Sequence, residues 1–438
     1  MKRTLAEWLT LQESVHPQSI DMGLARVGTV ARALALATPQ FAVITVGGTN
    51  GKGSVAAHLE ALLAARGART GLFTSPHFLR YNERIRIEGR EVTDAQLVEA
   101  FERIEAARAD TTLTFFEYNT LAALLIFGAA AVDVAVLEVG LGGRLDATNL
   151  IDADVAVLAS VGFDHKDYLG DTLELIGAEK AGIFRASRPA VLGTPQMPAS
   201  VFAAIEQCGA RGVIAGRDFR WQRHAGGWDY EGLARPLRQL PPSALAGTIQ
   251  YRNAATAIAA LEALEATPAP GAPVRRALAR LQPMTPERVA HALRRVRLAG
   301  RFQVVPGAVE WILDIAHNAP AAQVLAAELA ARALPGGAGR GRTFAVIGVL
   351  KDKDAGAIAA ELAGVVDRWI ACALPGARGG SAAQLAARLA RPAGTVALAP
   401  SVTAGLELAR AEARAGDRVL VCGSLHSVGP ALKWLRIY

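Results

Sequence analysis

Residues 41–54, Phe-Ala-Val-Ile-Thr-Val-Gly-Gly-Thr-Asn-Gly-Lys-Gly-Ser, run from an apolar β-branched stretch directly into glycines, a lysine and a serine. An Ala/Leu-rich pattern with helical spacing then continues to about Arg66. Strand, glycine loop and helix are the context of a phosphate-binding loop. The glycines let backbone N–H groups turn onto a polyphosphate, and the helix N-terminus adds its positive end. Thr49, Asn50, Gly51, Lys52, Gly53 and Ser54 are therefore candidate nucleotide ligands. Lys52 would reach the β/γ-phosphates and the Ser54 hydroxyl would ligate Mg²⁺. Val46 stands where the general G-x-x-x-x-G-K-[ST] pattern has its first glycine, and Gly53 separates Lys52 from Ser54. A plain glycine turn between a core strand and a core helix is the competing reading. The alternation Asn-Gly-Lys-Gly favours the nucleotide.

At 438 residues the chain exceeds what one core usually supports, so two domains are expected. Half of it is apolar, as in globular proteins with sizeable cores. The longest apolar stretch, residues 120–132, is too short to span a bilayer and runs into Asp133, so no membrane association is expected. Lys2 and Arg3 are followed by Glu7 and Trp8 rather than an apolar run, which does not read as a signal peptide. Cys208, Cys372 and Cys422 lie far apart, consistent with a reducing cytoplasm and not with a disulfide framework or zinc ribbon. The net charge of +7 is dispersed, with no basic run or interleaved aromatics, so small anionic substrates are expected and nucleic acid is not. Only seven lysines occur: Lys2, Lys52, Lys166, Lys180, Lys351, Lys353 and Lys433. Arginine replaces lysine almost everywhere else, so a lysine in an apolar or glycine context is expected to need an amine specifically.

Along the chain, residues 1–38 read as one or two helices and residues 69–73 as a strand ending in the polar loop 74–84. A helix opens at Thr93, a Thr/Phe-rich segment covers residues 112–117, and an apolar helix covers residues 121–131. Residues 132–139 and 154–161 are near-continuous apolar runs, as in buried parallel strands. A helix at residues 172–181 and a strand at residues 190–192 follow. This alternation predicts an α/β fold with a mostly parallel sheet whose ligands sit at the carboxyl ends of the strands. Lys52, Ser54, Ser75, Glu138 and His165 all fall there. Residues 215–245 read as a hairpin insertion, and Asn253 begins an Ala-rich helix. The boundary is placed near Arg297: residues 1–297 form the phosphate-loop domain and residues 298–438 a smaller Rossmann-like α/β domain. In the latter, strands are expected near residues 310–315, 343–347, 368–372, 396–398 and 418–422.

Glu138 ends a buried strand, where a carboxylate is costly unless paired or on a metal. With Ser54 and Ser75 it would make a hard oxygen site suited to Mg²⁺. His165 is a less typical Mg²⁺ ligand, and a strand-end histidine satisfied by backbone is its other reading. Lys180, in Gly177-Ala178-Glu179-Lys180-Ala181-Gly182, could instead be salt-bridged to Glu138 or Asp164. In the second half, Asp314, His317 and Ser424 each stand where a strand gives way to a helix, and Arg301 is a candidate phosphate clamp. A helix cap or a surface arginine is the competing reading of each.

Taken together, Gly48–Ser54, Ser75-Pro76-His77, Phe115-Phe116-Glu117-Tyr118, Glu138–Asp146, Asp164-His165, Glu179–Phe184 and Asp314–Asn318 resemble the folylpolyglutamate synthase/dihydrofolate synthase family, relatives of the Mur ligases. In that family the phosphate loop reads Gly-Lys-Gly followed by Thr or Ser. The resemblance implies ATP-dependent joining of L-glutamate to dihydropteroate and to reduced folates through an acyl phosphate, with ATP and Mg²⁺ as cofactors. It implies Ser54, Ser75, Glu138 and His165 as metal ligands, and Lys52, Glu138, His165 and Lys180 as the catalytic set, Lys180 being carbamylated. It places Asn253, Arg301 and Asp314 on ATP. Ile20, Asp21, Met22, Thr114, Phe115, Phe116, Glu117, Leu145, Asp146 and Ala147 fall on the dihydropteroate, and His317 and Ser424 on the glutamate. A monomer is expected. Ala299 replaces a common proline before Gly-Arg, and residues 284–297 form a longer segment than usual. The alternatives are a monofunctional folylpolyglutamate synthase, another Mur-type amide ligase, or a nucleotide-binding regulator without chemistry.

Overall fold

The computed structural model describes residues 3–18, 20–268, 271–334, 341–391 and 395–438. Two compact units form, one from residues 1–244 and 251–296, the other from residues 245–250 and 297–438. Among the described residues no helix is long and apolar enough to cross a membrane.

The first unit is built on a sheet of β1 (Ala42–Gly47), β2 (Thr70–Phe73), β3 (Ile85–Ile87), β4 (Arg90–Glu91), β5 (Val134–Glu138), β6 (Val155–Leu158), β7 (Pro189–Leu192) and β8 (Arg211–Ile214). Their order is β4-β3-β2-β5-β1-β6-β7-β8. The six strands from β2 to β8 pair in parallel, and only β3 and β4 are antiparallel. β1 lies at the centre between β5 and β6, with Val46 opposite Glu138 and Gly47 opposite Leu158. All six residues of β1 are buried, as a two-sided parallel strand requires. One face is covered by the helices Lys52–Ala65 and Ile249–Glu265, the other by Ala25–Ala33, Asp94–Arg108 and Phe115–Ala129.

The Thr/Phe-rich segment proves to be a helix start. Thr114 and Glu117 form a reciprocal capping box, which moves the beginning of the apolar helix back to Phe115. Residues 215–245 hold more than a hairpin, since β9 (Arg220–His224), β10 (Gly227–Glu231) and β11 (Leu237–Leu240) make a three-stranded antiparallel sheet. The helix expected from Asn253 starts earlier, at Ile249.

The second unit has β12 (Gln303–Val305), β13 (Glu310–Leu313), β14 (Thr343–Ile347), β15 (Arg368–Cys372), β16 (Val396–Ala399) and β17 (Arg418–Cys422), in the order β12-β13-β17-β14-β15-β16. All but β12 are parallel. Arg418 is buried at the start of β17 and donates to Glu310 Oε2 at 2.7 Å, so its charge is paired inside the protein.

Candidate active site

The loop after β1 is fixed from both sides. Gly48 has φ +142°, and a methyl there would stand 3.1 Å from the Ser160 nitrogen, so glycine is needed for conformation and for space. Beyond β6, Ser160 accepts from the Thr49 N–H at its carbonyl (2.8 Å) and from the Asn50 N–H at its hydroxyl (3.1 Å). The Thr49 hydroxyl donates to the Gly162 carbonyl at 3.0 Å. Gly51, at φ +88°, caps the helix that opens with Lys52, and Ser54 is buried in its first turn. His58, one turn further, bonds the Ser54 carbonyl through Nδ1 at 2.7 Å and the Ser243 hydroxyl through Nε2 at 2.9 Å. Burial pulls its imidazole down to about 4, so it stays neutral.

Lys52 Nζ donates to the carbonyls of Gly48 (3.0 Å) and Thr49 (3.3 Å). Lys180, 5 % exposed, donates from Nζ to the same Gly48 carbonyl at 3.2 Å. The expected alternative of a salt bridge to Glu138 or Asp164 is not what forms. Burial, and secondarily the charge of Lys52, pull the Lys180 ammonium down to about 7. The loop 140–146 holds the end of the Lys180 helix. The Arg144 N–H donates to the Glu179 carbonyl at 2.9 Å, and a methyl on Gly143 would meet the Lys180 carbonyl at 2.7 Å.

Glu138 is the last residue of β5 and is buried, and its Oε2 accepts from the Ser75 N–H at 3.2 Å. The two are therefore brought together at adjacent strand ends. A buried carboxylate beside hydroxyl-bearing residues is a donor set of the kind a hard divalent cation takes. Among the described residues no three of His, Cys, Asp and Glu cluster as a metal site by themselves. A cation here would draw on hydroxyl and phosphate oxygens as well. His165 stands in the loop after β6 with a left-handed backbone, its side chain a third exposed and Nε2 4.0 Å from Asp164 Oδ1. Arg84 is buried against the rings of Tyr81 and Phe115 and donates from Nε to His77 Nδ1 at 2.8 Å.

A second cluster lies on the helical face of the same unit. Arg26 donates to Asp21 Oδ2 at 2.6 Å and to Glu117 Oε1 at 3.3 Å, while His16 Nε2 lies 3.1 Å from Asp21. Phe116 packs against Gly140, where a methyl would meet its ring at 2.5 Å. Met22 reaches to within 3.1 Å of a methyl placed on Gly142. Ile20 is exposed, Leu145 is partly so, and Ala147 is buried. Thr114 and Asp146 bond mainly to backbone: Thr114 caps its helix, and Asp146 accepts from the N–H groups of Leu141 (2.8 Å) and Thr148 (3.0 Å). Burial pushes the Asp146 carboxyl up.

Asn253 is buried, and its Oδ1 lies 3.2 Å from where a methyl on Gly51 would stand. In the second unit Asp314, after β13, accepts from the N–H groups of Phe302 and Ala316, both at 2.8 Å, which ties the Arg301 loop to the strand end. Burial raises the Asp314 carboxyl, and Arg301 offsets part of that. His317 Nδ1 lies 2.9 Å from the Ile315 carbonyl, and the Ser424 hydroxyl donates to the Gly348 carbonyl at 2.8 Å. Ser160, His58, Arg84 and Arg26 were not singled out in the sequence. Ser160 had a signal in its position just past a parallel strand, and the others had none.

Residues 46–197 match the Mur ligase middle domain, and residues 300–425 match the Mur ligase glutamate ligase domain. The dihydrofolate synthase/folylpolyglutamate synthase of Escherichia coli (strain K12) is 42 % identical over 429 residues, 98 % of this chain and 95 % of that protein. The Haemophilus influenzae protein of the same name is 38 % identical, covering 97 % and 96 %. The solved structure of the E. coli enzyme with DHPP and ADP superposes with a TM-score of 0.90 at 40 % identity, over 99 % of this chain and 98 % of the other. A bifunctional folylpolyglutamate synthase/dihydrofolate synthase solved with Mn, AMPPNP and L-glutamate gives 0.87 at 40 % identity, over 99 % and 98 %. With the phosphate loop, the buried lysine and both Mur ligase domains in place, the chain belongs to the dihydrofolate synthase/folylpolyglutamate synthase family.

Proposed function

We propose that this protein joins L-glutamate to dihydropteroate, and further glutamate to reduced folates, at the expense of ATP. A substrate carboxylate oxygen attacks the γ-phosphorus and ADP leaves. The amine nitrogen of glutamate then attacks the acyl-phosphate carbon, and inorganic phosphate leaves as the amide forms. Such chemistry depends on positioning and on neutralising charge at the transferring phosphoryl oxygens. Residues Thr49 to Ser54 cradle the phosphates, with Lys52 turning from loop carbonyls to the β/γ-oxygens and Asn253 bordering Gly51. Ser54, Ser75, Glu138 and His165 hold Mg²⁺, which when bound supplies Lewis acidity and a template for the phosphates. Arg301 and Asp314 are assigned to the nucleotide, and His317 and Ser424 to the glutamate.

The observation that carries this reading is the buried Lys180 on the carbonyl of Gly48. An amine with its ammonium pulled down to about 7 is largely uncharged just above neutrality, the state that adds CO₂. The carbamate would put a carboxylate beside the phosphate loop, which no guanidinium could do.

The Asp21–Arg26–Glu117 cluster and the Phe116 ring support a pterin site formed with Ile20, Met22, Leu145 and Ala147. The protein is proposed to act as a monomer in the cytoplasm. A coupled assay of ADP release with glutamate tests the whole reading, comparing dihydropteroate with a reduced folate. Turnover with both is expected. Turnover with the folate alone would leave a monofunctional synthase, and ATP turnover indifferent to glutamate would overturn the ligase reading.

A further inference from the structure

Arg252 precedes Asn253 in the first full turn of the helix Ile249–Glu265. Its guanidinium lies beside the phosphate loop, with Nη2 3.8 Å from where a methyl on Gly51 would stand. Nε is sealed from solvent and has no hydrogen-bond partner. Among the described residues no carboxylate pairs with this side chain and no carbonyl accepts from it. That sets it apart from other arginines withdrawn from the surface. Arg418 has Glu310 at 2.7 Å, Arg86 has Glu60 at 2.7 Å, and Arg84 has a ring nitrogen and two aromatic faces. Burial disfavours the charged form of Arg252, and no neighbour offsets it. A guanidinium largely withdrawn from water without a counter-charge is unfavourable, and it fits a site where an anion supplies the missing charge.

We infer that Arg252 is a nucleotide-phosphate ligand, a planar donor beside the Gly51 turn that grips the polyphosphate of ATP. This rests on the proposed ATP site. A guanidinium offers two parallel N–H donors to phosphate oxygens, where Lys52 offers a point charge. The two cations would thus play different parts, Lys52 neutralising charge and Arg252 fixing its orientation.

The test uses the full-length protein and its Arg252→Met and Arg252→Lys variants, with AMPPNP and adenosine as probes in binding and thermal-shift measurements. AMPPNP binding is expected to weaken about 10- to 100-fold in Arg252→Met and to recover partly in Arg252→Lys, while adenosine binding stays within twofold. The midpoint of unfolding without nucleotide should be equal or higher in Arg252→Met, because an uncompensated buried charge has been removed. A lower midpoint without nucleotide would make Arg252 a packing residue and overturn the inference. So would AMPPNP affinity within twofold of the unsubstituted protein. If the unsubstituted protein itself fails to bind AMPPNP, the ATP-site reading falls first.

Discussion

Lys52 and Lys180 point their ammonium groups at one oxygen, the carbonyl of Gly48, at 3.0 and 3.2 Å. They come from different helices of the first unit, Lys52 opening the helix after β1 and Lys180 standing in the last turn of the helix Leu173–Ala181. Two cations sharing one neutral acceptor repel each other, and Lys180, the more deeply buried, is readily discharged.

Stability should therefore depend on pH through Lys180. Below pH 7 its amine is protonated in both folded and unfolded chains, and the full penalty of burying the charge is present. Between about 7 and its ordinary 10.5, the unfolded chain binds a proton that the folded one does not, so stability rises with pH. In nucleotide-free, CO₂-depleted buffer, the denaturation midpoint is expected to climb from pH 7 to pH 9, with a slope of about 1 kcal/mol per pH unit. Lys180→Met should flatten that climb. An unchanged slope in the variant would place the titration elsewhere.

The carbamate reading gives a separate outcome. Lys180→Arg keeps a cation but cannot add CO₂, and Lys180→Ala removes the amine altogether. Both should lose about 100-fold or more in kcat, the scale of removing one preorganised electrostatic group. Acetate or formate should restore part of the activity of Lys180→Ala and none of that of Lys180→Arg. Lys180→Arg at unsubstituted activity would show that any cation suffices.

Gly143 is predicted to be the position at which a single methyl disturbs this lysine. Its added carbon would lie 2.7 Å from the Lys180 carbonyl and 2.9 Å from the Lys180 Cα, both backbone atoms that cannot swing aside. Gly143→Ala should cost about 1–3 kcal/mol in urea unfolding and lower kcat with little change in the KM for ATP. Gly364→Ala is the control, since neither glycine sits at a positive φ and a methyl on Gly364 meets nothing within 4 Å.

The parts of this protein that could be read in the sequence are those where chemistry is local. The phosphate loop, the strand-end Glu138 and the strands of the second unit follow from periodicity and from glycine placement, and all lie within a residue or two of their expected limits. The capping box at Thr114 and Glu117 was local too, and it makes the Thr/Phe-rich segment the start of the helix that follows. Nothing local could place Arg252 beside Gly51, some two hundred residues earlier, or set Lys180 on a carbonyl instead of a carboxylate. β3, β4 and β12 span two or three residues each, too few to show any period.

Glu138 should carry the dependence on a divalent cation. Chelation is expected to abolish turnover, and Glu138→Gln should raise the Mg²⁺ concentration for half-maximal rate by about 10-fold or more, since a charged hard ligand becomes a neutral one. The Ser75 N–H can still donate to the amide oxygen, so the fold is preserved and near-unchanged circular dichroism is expected. A Mg²⁺ dependence identical to that of the unsubstituted protein would remove Glu138 from the metal site.

Arg26 offers the sharpest separation between the acceptor substrate and ATP. It holds Asp21 through a side-chain bond of 2.6 Å and a main-chain bond of 2.8 Å, and it reaches Glu117 at 3.3 Å, so it ties residues 20–22 to the start of the helix Phe115–Ala129. Asp21 is also bonded to His16, which in turn bonds Thr112 at 2.9 Å. Replacing Arg26 by Met keeps the length of the stem but releases both carboxylates, at about 1.5–3 kcal/mol for each charge-assisted contact. The KM for dihydropteroate is expected to rise about 10-fold or more while the KM for ATP stays within twofold, because among the described residues the bonds of Asp21, Arg26 and Glu117 do not reach residues 47–54. Equal effects on both constants would mean that the cluster supports the whole unit and does not shape the pterin site.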